Sequence, residues 1–335
     1  MAISKFLDPK NDVAFRRIFG TERNKDILIH FINDVLELKG VNKIQEVTFL
    51  SPIQEPEIAA KKQSMVDVLC KDENGVQIII EMQVSPQEGF EKRAQYYAAK
   101  AYSRQLNKGK IEGCRYQDLK AVIFIAIIDN IIFKDKIFYK SDHVILDKES
   151  YAHDLQDFSF TFIELPKFKI TDIALLTNIV EKWCFFFKNA DQTSEADLRK
   201  LIGPDVVIER AYEELNQFNW TEQELLTYEK EIKRVMDNQA AEDYLTNVAR
   251  AQGLEEGKAK GLEEGKVVGK AEGKAEGIRI GEAKGREEGK AEGLKLGAVK
   301  GKIEIAKAML IEGDAIPKIS RITGLSTKEI EKLKS

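Results

Sequence analysis

The chain is poor in the residues that carry most metal and redox chemistry. Its three cysteines, Cys70, Cys114 and Cys184, lie far apart and form no Cys-x-x-Cys pair. A disulfide framework and a zinc knuckle are thereby excluded, and the three read as reduced core residues of a cytosolic protein. His30, His143 and His153 show no metal-ligand spacing and support no histidine-based triad. No apolar leader follows the first residues, and the longest apolar run, Ala121–Ile128, is too short to cross a bilayer. The expectation is a soluble, cytoplasmic protein without membrane contact. Excess positive charge is missing too. A net charge of −4 excludes coating of nucleic acid by bulk charge, so any such contact must come from local basic patches.

What is present is ample apolar material, 43% of 335 residues, enough for one large domain or two. The most informative stretch runs Met65-Val66-Asp67-Val68-Leu69-Cys70, then a polar turn, then Val76-Gln77-Ile78-Ile79-Ile80-Glu81-Met82-Gln83-Val84. Two β-rich runs around an Asn-Gly signal predict a hairpin. A three-residue loop Glu73-Asn74-Gly75, with Gly75 left-handed, pairs Asp72 with Val76 and sets Asp67 opposite Glu81 on one face. Their Cβ atoms are then about 5 Å apart. Gln83 joins that face. A two-residue loop would send the carboxylates to opposite faces. Two carboxylates so placed among apolar residues need a shared proton, a basic partner or a divalent cation, unless the sheet end is solvated. Mg²⁺ or Mn²⁺ suits such an oxygen-rich pair.

Around the hairpin the order of elements is legible. Residues 11–38 alternate helical faces with a break at Gly20-Thr21, predicting two helices. Val47–Leu50 reads as a strand, 90–106 as a helix, Lys120–Asp129 as a buried strand and Phe158–Leu165 as another. Residues 171–190 and 206–248 read as helices of an accessory layer.

The pattern Asp67…Glu81-Met82-Gln83 resembles the core motif of the PD-(D/E)XK nucleases, in the variant with Gln at the usual Lys position. The wider chain resembles the Rpn family of recombination-promoting nucleases, also described as transposases. The likeness is carried by Asp8-Pro9-Lys10-Asn11-Asp12-Val13-Ala14-Phe15-Arg16-Arg17-Ile18-Phe19-Gly20 and by Arg93-Ala94-Gln95-Tyr96-Tyr97 with Tyr102 and Gln105-Leu106. Phe162-Ile163-Glu164-Leu165-Pro166-Lys167-Phe168 and a glycine-punctuated tail complete it. The acidic motif alone is weak; the ordered set over about residues 1–240 is specific.

The resemblance implies an α/β fold with a restriction-endonuclease-like αβββαβ core, a mixed sheet flanked by helices, and a helical C-terminal extension. It implies Mg²⁺, or Mn²⁺, on Asp67 and Glu81, with the Met82 backbone carbonyl as a further ligand and Asp12 as a third carboxylate. Asp12 otherwise caps or decorates its helix. Gln83, uncharged and no base, would orient the water or bond the phosphate. Arg93, Tyr97, Lys100 and Arg104 share a helical stripe suited to DNA phosphates, or to plain solvation, and Tyr96 is expected to pack.

From Gly253 to Gly301 a glycine recurs every fourth residue among Lys, Glu and Ala. In a helix this array costs on the order of 10 kcal/mol against alanine. The segment is therefore either a polar linker or a helix whose bare stripe admits a partner helix, with right-handed crossing. Residues 302–335 resemble a small helix-turn-helix or a capping bundle. The expected organisation is 1–248 nuclease-like with its accessory part at 171–248, 249–301 repeat and 302–335 helical tail. The leading expectation is a Mg²⁺-dependent DNA endonuclease promoting recombination, able to act as a homodimer. The alternative is a catalytically weak DNA-binding or protein-interaction regulator keeping the fold. A sugar hydrolase ranks last, since no aromatic sugar platform accompanies the acid pair.

Overall fold

The computed structural model describes residues 5–54, 64–106, 115–203 and 206–334. They form two compact units, Met1–Ala241 and Glu242–Ser335. Cys114 lies outside the described residues, while Cys70 and Cys184 are buried free thiols.

The first unit opens with α1 (Asp12–Phe19) and α2 (Lys25–Val35). Asn11, not Asp12, caps α1, its side chain accepting from the Val13 N–H at 2.9 Å. Among the described residues eight strands follow in chain order: β1 (Val47–Phe49), β2 (Ile53–Gln54), β3 (Ser64–Met65), β4 (Val68–Asp72), β5 (Gln77–Gln83), β6 (Val122–Ile128), β7 (Lys140–Val144) and β8 (Phe158–Glu164). Helix α3 (Phe90–Ser103) lies between β5 and β6. Taken with the α1–α2 pair as the opening helical layer, β1, β4, β5, α3 and β6 give the αβββαβ order.

The main sheet runs β1-β4-β5-β6-β8-β7. Its centre, β5, β6 and β8, is parallel, and its flanks pair antiparallel. One face, with Val68, Cys70, Ile78, Ile80 and Ile125, carries the large core with Phe15, Phe19, Phe31, Trp183 and Phe187. The other face packs Leu69, Ile79, Phe124, Ala126 and Phe162 against Ala94, Ala98 and Ala101. These alanines recur at helical spacing, and their small side chains let α3 lie close on the sheet.

The sequence reading departs from the structure in several places, among them the helix expected over 171–190, which begins only at Ile179. The run through Met65–Cys70 is broken: β3 pairs with β2, the Val66 N–H donates to the Pro52 carbonyl at 3.1 Å, and Asp67 occupies the bend before β4. Edge strand β7 was not foreseen, because Lys140-Ser141-Asp142-His143-Val144 lacks an apolar alternation and is held from one side only. The accessory layer is α4 (Ile179–Asn189), α5 (Glu195–Ile202), α6 (Val206–Leu215) and the start of α7 (Glu222–Ile311). The helix expected over 206–248 is interrupted, since the Asn216 side chain accepts from the Phe218 N–H at 3.2 Å and the Trp220 indole donates to the Glu214 carbonyl at 2.7 Å.

In the second unit α7 is helical through the whole glycine array. A Cβ built on any glycine from Gly253 to Gly301 meets nothing within 4 Å. After Gly313, α8 (Ile316–Thr323) and α9 (Thr327–Lys332) fold over Ala306, with Ile319 and Ile330 buried. Ser326 and Glu329 close α9 with a capping box.

Candidate active site

Hairpin geometry builds the site. Asp72 accepts from the Asn74 and Val76 N–H groups at 2.9 and 2.8 Å, and Gly75 takes φ +85°. That three-residue loop sets the register Val68↔Ile80, Leu69↔Ile79, Cys70↔Ile78, Lys71↔Gln77, which places Asp67 across from Glu81. Both point to the α3 face, one row beyond Leu69 and Ile79.

The solvated alternative does not hold. Glu81 is 6% exposed and the Asp67 side chain 9%. Two of the other answers are visible, a carboxyl favoured in its neutral form and a basic partner. Burial, then the Asp67 charge and a hydrogen bond with Asp67, push the Glu81 carboxyl well above the usual carboxylate range, while Arg93 pulls it back. The neutral form of Glu81 is thereby favoured, hydrogen-bonded to Asp67. Asp67 Oδ1 accepts from Arg16 Nη2 at 3.1 Å, and its Oδ2 accepts from the Met82 N–H at 2.9 Å. The break between β3 and β4 is what frees that N–H for Asp67. In a strand the N–H and C=O of one residue point the same way, so the Met82 carbonyl is directed to the Asp67 side.

Gln83 is engaged at both ends of its amide. Its Oε1 accepts from Arg93, and its Nε2 donates to the Ser85 carbonyl at 2.5 Å. Arg93 also bonds Gln87 and stacks over Phe90 and Tyr97 at 4.8 and 5.8 Å. Gln83 therefore anchors a guanidinium beside Glu81. Asp12 lies at the same cavity, ion-paired with Arg234 at 3.5 Å. Burial, Asp67 and Glu231 raise its carboxyl above the usual range, against Arg16 and Arg234.

These groups line a cavity of about 920 Å³ in the first unit, closed on one side by Ile232, Val235 and Met236 of α7. The predicted stripe on α3 divides. Arg93 and Tyr97 reach the cavity; Lys100 lies over the Tyr96 ring at 5.9 Å, and Arg104 is exposed beyond the last turn. Tyr96, expected to pack, is 53% exposed. It precedes Tyr97 by one position, and 100° of helical rotation carries it off the sheet face. Tyr102 and Gln105 are structural. Tyr102 bonds Asp157 at 2.5 Å, and Gln105 exchanges two 2.8 Å bonds with the Lys120 backbone at the entry to β6.

Arg16 and Arg234 were missed by sequence reasoning. The signal for Arg16 is its position four residues after Asp12, on the same helical face. No comparable signal marks Arg234. Among the described residues no group of three or more His, Cys, Asp or Glu is arranged to hold a metal ion. The donors that do converge, Asp67 and Glu81 with the Met82 carbonyl alongside, are all hard oxygens. That set fits Mg²⁺ or Mn²⁺, which complete their shells with water. Among the described residues no helix is long and apolar enough to cross a membrane.

Comparison with curated proteins and with solved structures gives no match. A family model described as PD-(D/E)XK nuclease family transposase matches residues 9–244, from the entry to α1 to α7 beyond the cavity wall. With the acid pair, its hairpin and the sheet all inside that span, the chain belongs to the PD-(D/E)XK nuclease family transposases.

Proposed function

We propose that the chain is a divalent-cation-dependent DNA endonuclease whose cuts promote recombination or transposition-like exchange. The observation that carries this reading is the buried Asp67–Glu81 pair, set face to face by the hairpin register inside a cavity walled by guanidinium groups. Asp67, Glu81 and the Met82 carbonyl would hold Mg²⁺ or Mn²⁺, with Asp12 at hand as a further carboxylate. When bound, the cation supplies a polarised phosphate and a more acidic water. Gln83 is not a base; it keeps Arg93 aimed at the cavity, where Arg93 and Tyr97 would receive a DNA phosphate. Lys100 and Arg104 would extend that contact along the backbone. One site per protomer would nick a strand, and a homodimer would cut two.

Supercoiled-plasmid cleavage tests the reading, with Mg²⁺, Mn²⁺ or EDTA, on the native chain, Asp67→Asn and Glu81→Gln. Cation-dependent nicking lost in both variants is expected. Equal cutting by all three proteins, or no cutting by folded, cation-loaded protein, would sink it. The latter outcome favours a DNA-binding regulator, a reading supported by the two donors already occupying Asp67.

A further inference from the structure

Arg16 and Arg17 are neighbours on α1 with opposite degrees of engagement. Arg17 is built in: it bonds Glu214, Glu224 and the Asn219 carbonyl, and stacks over Trp220 at 4.6 Å. Its side chain is 15% exposed. The Arg16 side chain is 43% exposed and its ion pair is with Asp67. Its Nε is buried with no hydrogen-bond partner. A guanidinium with an idle buried donor is poorly satisfied, and a phosphate oxygen would relieve that cost.

The charges around Asp67 sharpen the point. Arg16 sits on one of its oxygens, and the same oxygens are what a divalent cation needs. Two positive groups sharing one carboxylate repel each other. We infer that Arg16 is the site's internal counter-cation: it neutralises Asp67 until a divalent cation takes that carboxylate, and then turns its fork to a substrate phosphate. This rests on the nuclease reading and deepens it, adding a positioning residue whose two contacts are mutually exclusive. The exchange makes and breaks no covalent bond, and the proton of neutral Glu81 leaves to solvent as the cation binds.

The two limbs predict effects of opposite sign. Mn²⁺ binding to the full chain without DNA, followed by electron paramagnetic resonance, is expected to tighten about three- to tenfold in Arg16→Gln. Binding of a short DNA duplex in Ca²⁺, followed by fluorescence anisotropy, is expected to weaken and to lose about one counterion from its salt slope. Arg16→Lys keeps the charge without the fork, so its Mn²⁺ affinity should stay within about twofold of native. A brace of purely structural value would not make the cation bind more tightly. If Mn²⁺ binding is lost in Asp67→Asn yet unchanged or weaker in Arg16→Gln, the inference fails and the nuclease reading stands. Equal tightening in Arg16→Lys also overturns it, since charge would not be the cause. If neither the native chain nor Arg16→Gln binds Mn²⁺, both fall together.

Discussion

Two glutamates stand two rows apart at the C-terminal ends of parallel strands, on the same face of one sheet. The register Glu81↔Ala126↔Phe162 is followed by Gln83↔Ile128↔Glu164. Both are almost wholly inaccessible, Glu81 at 6% and Glu164 at 1%. Their surroundings differ completely. Glu164 accepts from the Ile132 and Phe133 N–H groups at 2.7 and 3.1 Å and from Lys167 Nζ at 2.5 Å. Lys167 in turn donates to the Phe133 carbonyl at 2.7 Å, so the carboxylate and its partner pin the loop after β6. Glu81 instead faces another acid. A buried carboxylate with matched donors is a structural element; one opposed by a second carboxylate is held at a cost to stability. Both residues lie inside the span that the family model matches, and only their partners separate the brace from the candidate site.

The largest effect expected from this contrast comes from breaking the closed case. Lys167→Met should cost about 3–5 kcal/mol, because it strands a buried charge, and should lower the urea midpoint accordingly. Joint replacement with Glu164→Gln, which still accepts from the Ile132 and Phe133 N–H groups, should recover much of that loss. The open case should respond in the opposite sense. An acid whose folded value lies above its unfolded value is stabilising when protonated and loses that contribution as pH rises through the folded value. Glu81 is of this kind, so without divalent cation the native chain should weaken as pH climbs from about 4.5, the ordinary value of a glutamate. Glu81→Gln removes the titration and should raise stability at pH 8 in EDTA by on the order of 1 kcal/mol. The gain should vanish on acidification below that value. A variant less stable than native at pH 8 would place Glu81 with Glu164 as a brace.

Sequence alone made the hairpin readable, because loop length and Gly75 determine a register that can be counted residue by residue. The αβββαβ order was readable from other local signals: β5 and β6 are near-continuous apolar runs, and α3 carries alanines at helical spacing. Arg16 opposite Asp67 was not readable, since that contact depends on how α1 docks on the sheet, 51 residues away in the chain. Nor could a motif glutamine at position 83 be told from a guanidinium anchor without Arg93 beside it. The interruption at Asn216 was hidden because helical residues flank it on both sides, and the capping bond is visible only in three dimensions.

An effect smaller than that of Lys167→Met tests whether the open pair takes a cation. Mg²⁺ at ten times its dissociation constant should stabilise the native chain by about 1.4 kcal/mol, read as a shift in the urea midpoint at pH 8. Asp67→Asn should show no such shift, and Lys167→Met should keep it, because its lesion lies at the other glutamate.

The smallest effect concerns the turn that sets the two acids face to face. Gly75 holds φ +85°, and a Cβ there would stand 3.3 Å from Lys120 Cγ, a side chain able to move aside. The cost of Gly75→Ala is therefore mainly backbone strain, about 1 kcal/mol. The apolar pairs Val68↔Ile80 and Cys70↔Ile78 should hold the register, because a one-residue slip would turn a whole strand's apolar face outward. In EDTA the variant should thus be weaker by a constant amount at pH 5 and pH 8, keeping the native fall in stability between them. If that fall disappears, the strands have slipped, Asp67 has left Glu81, and the turn rather than the strand core sets the site.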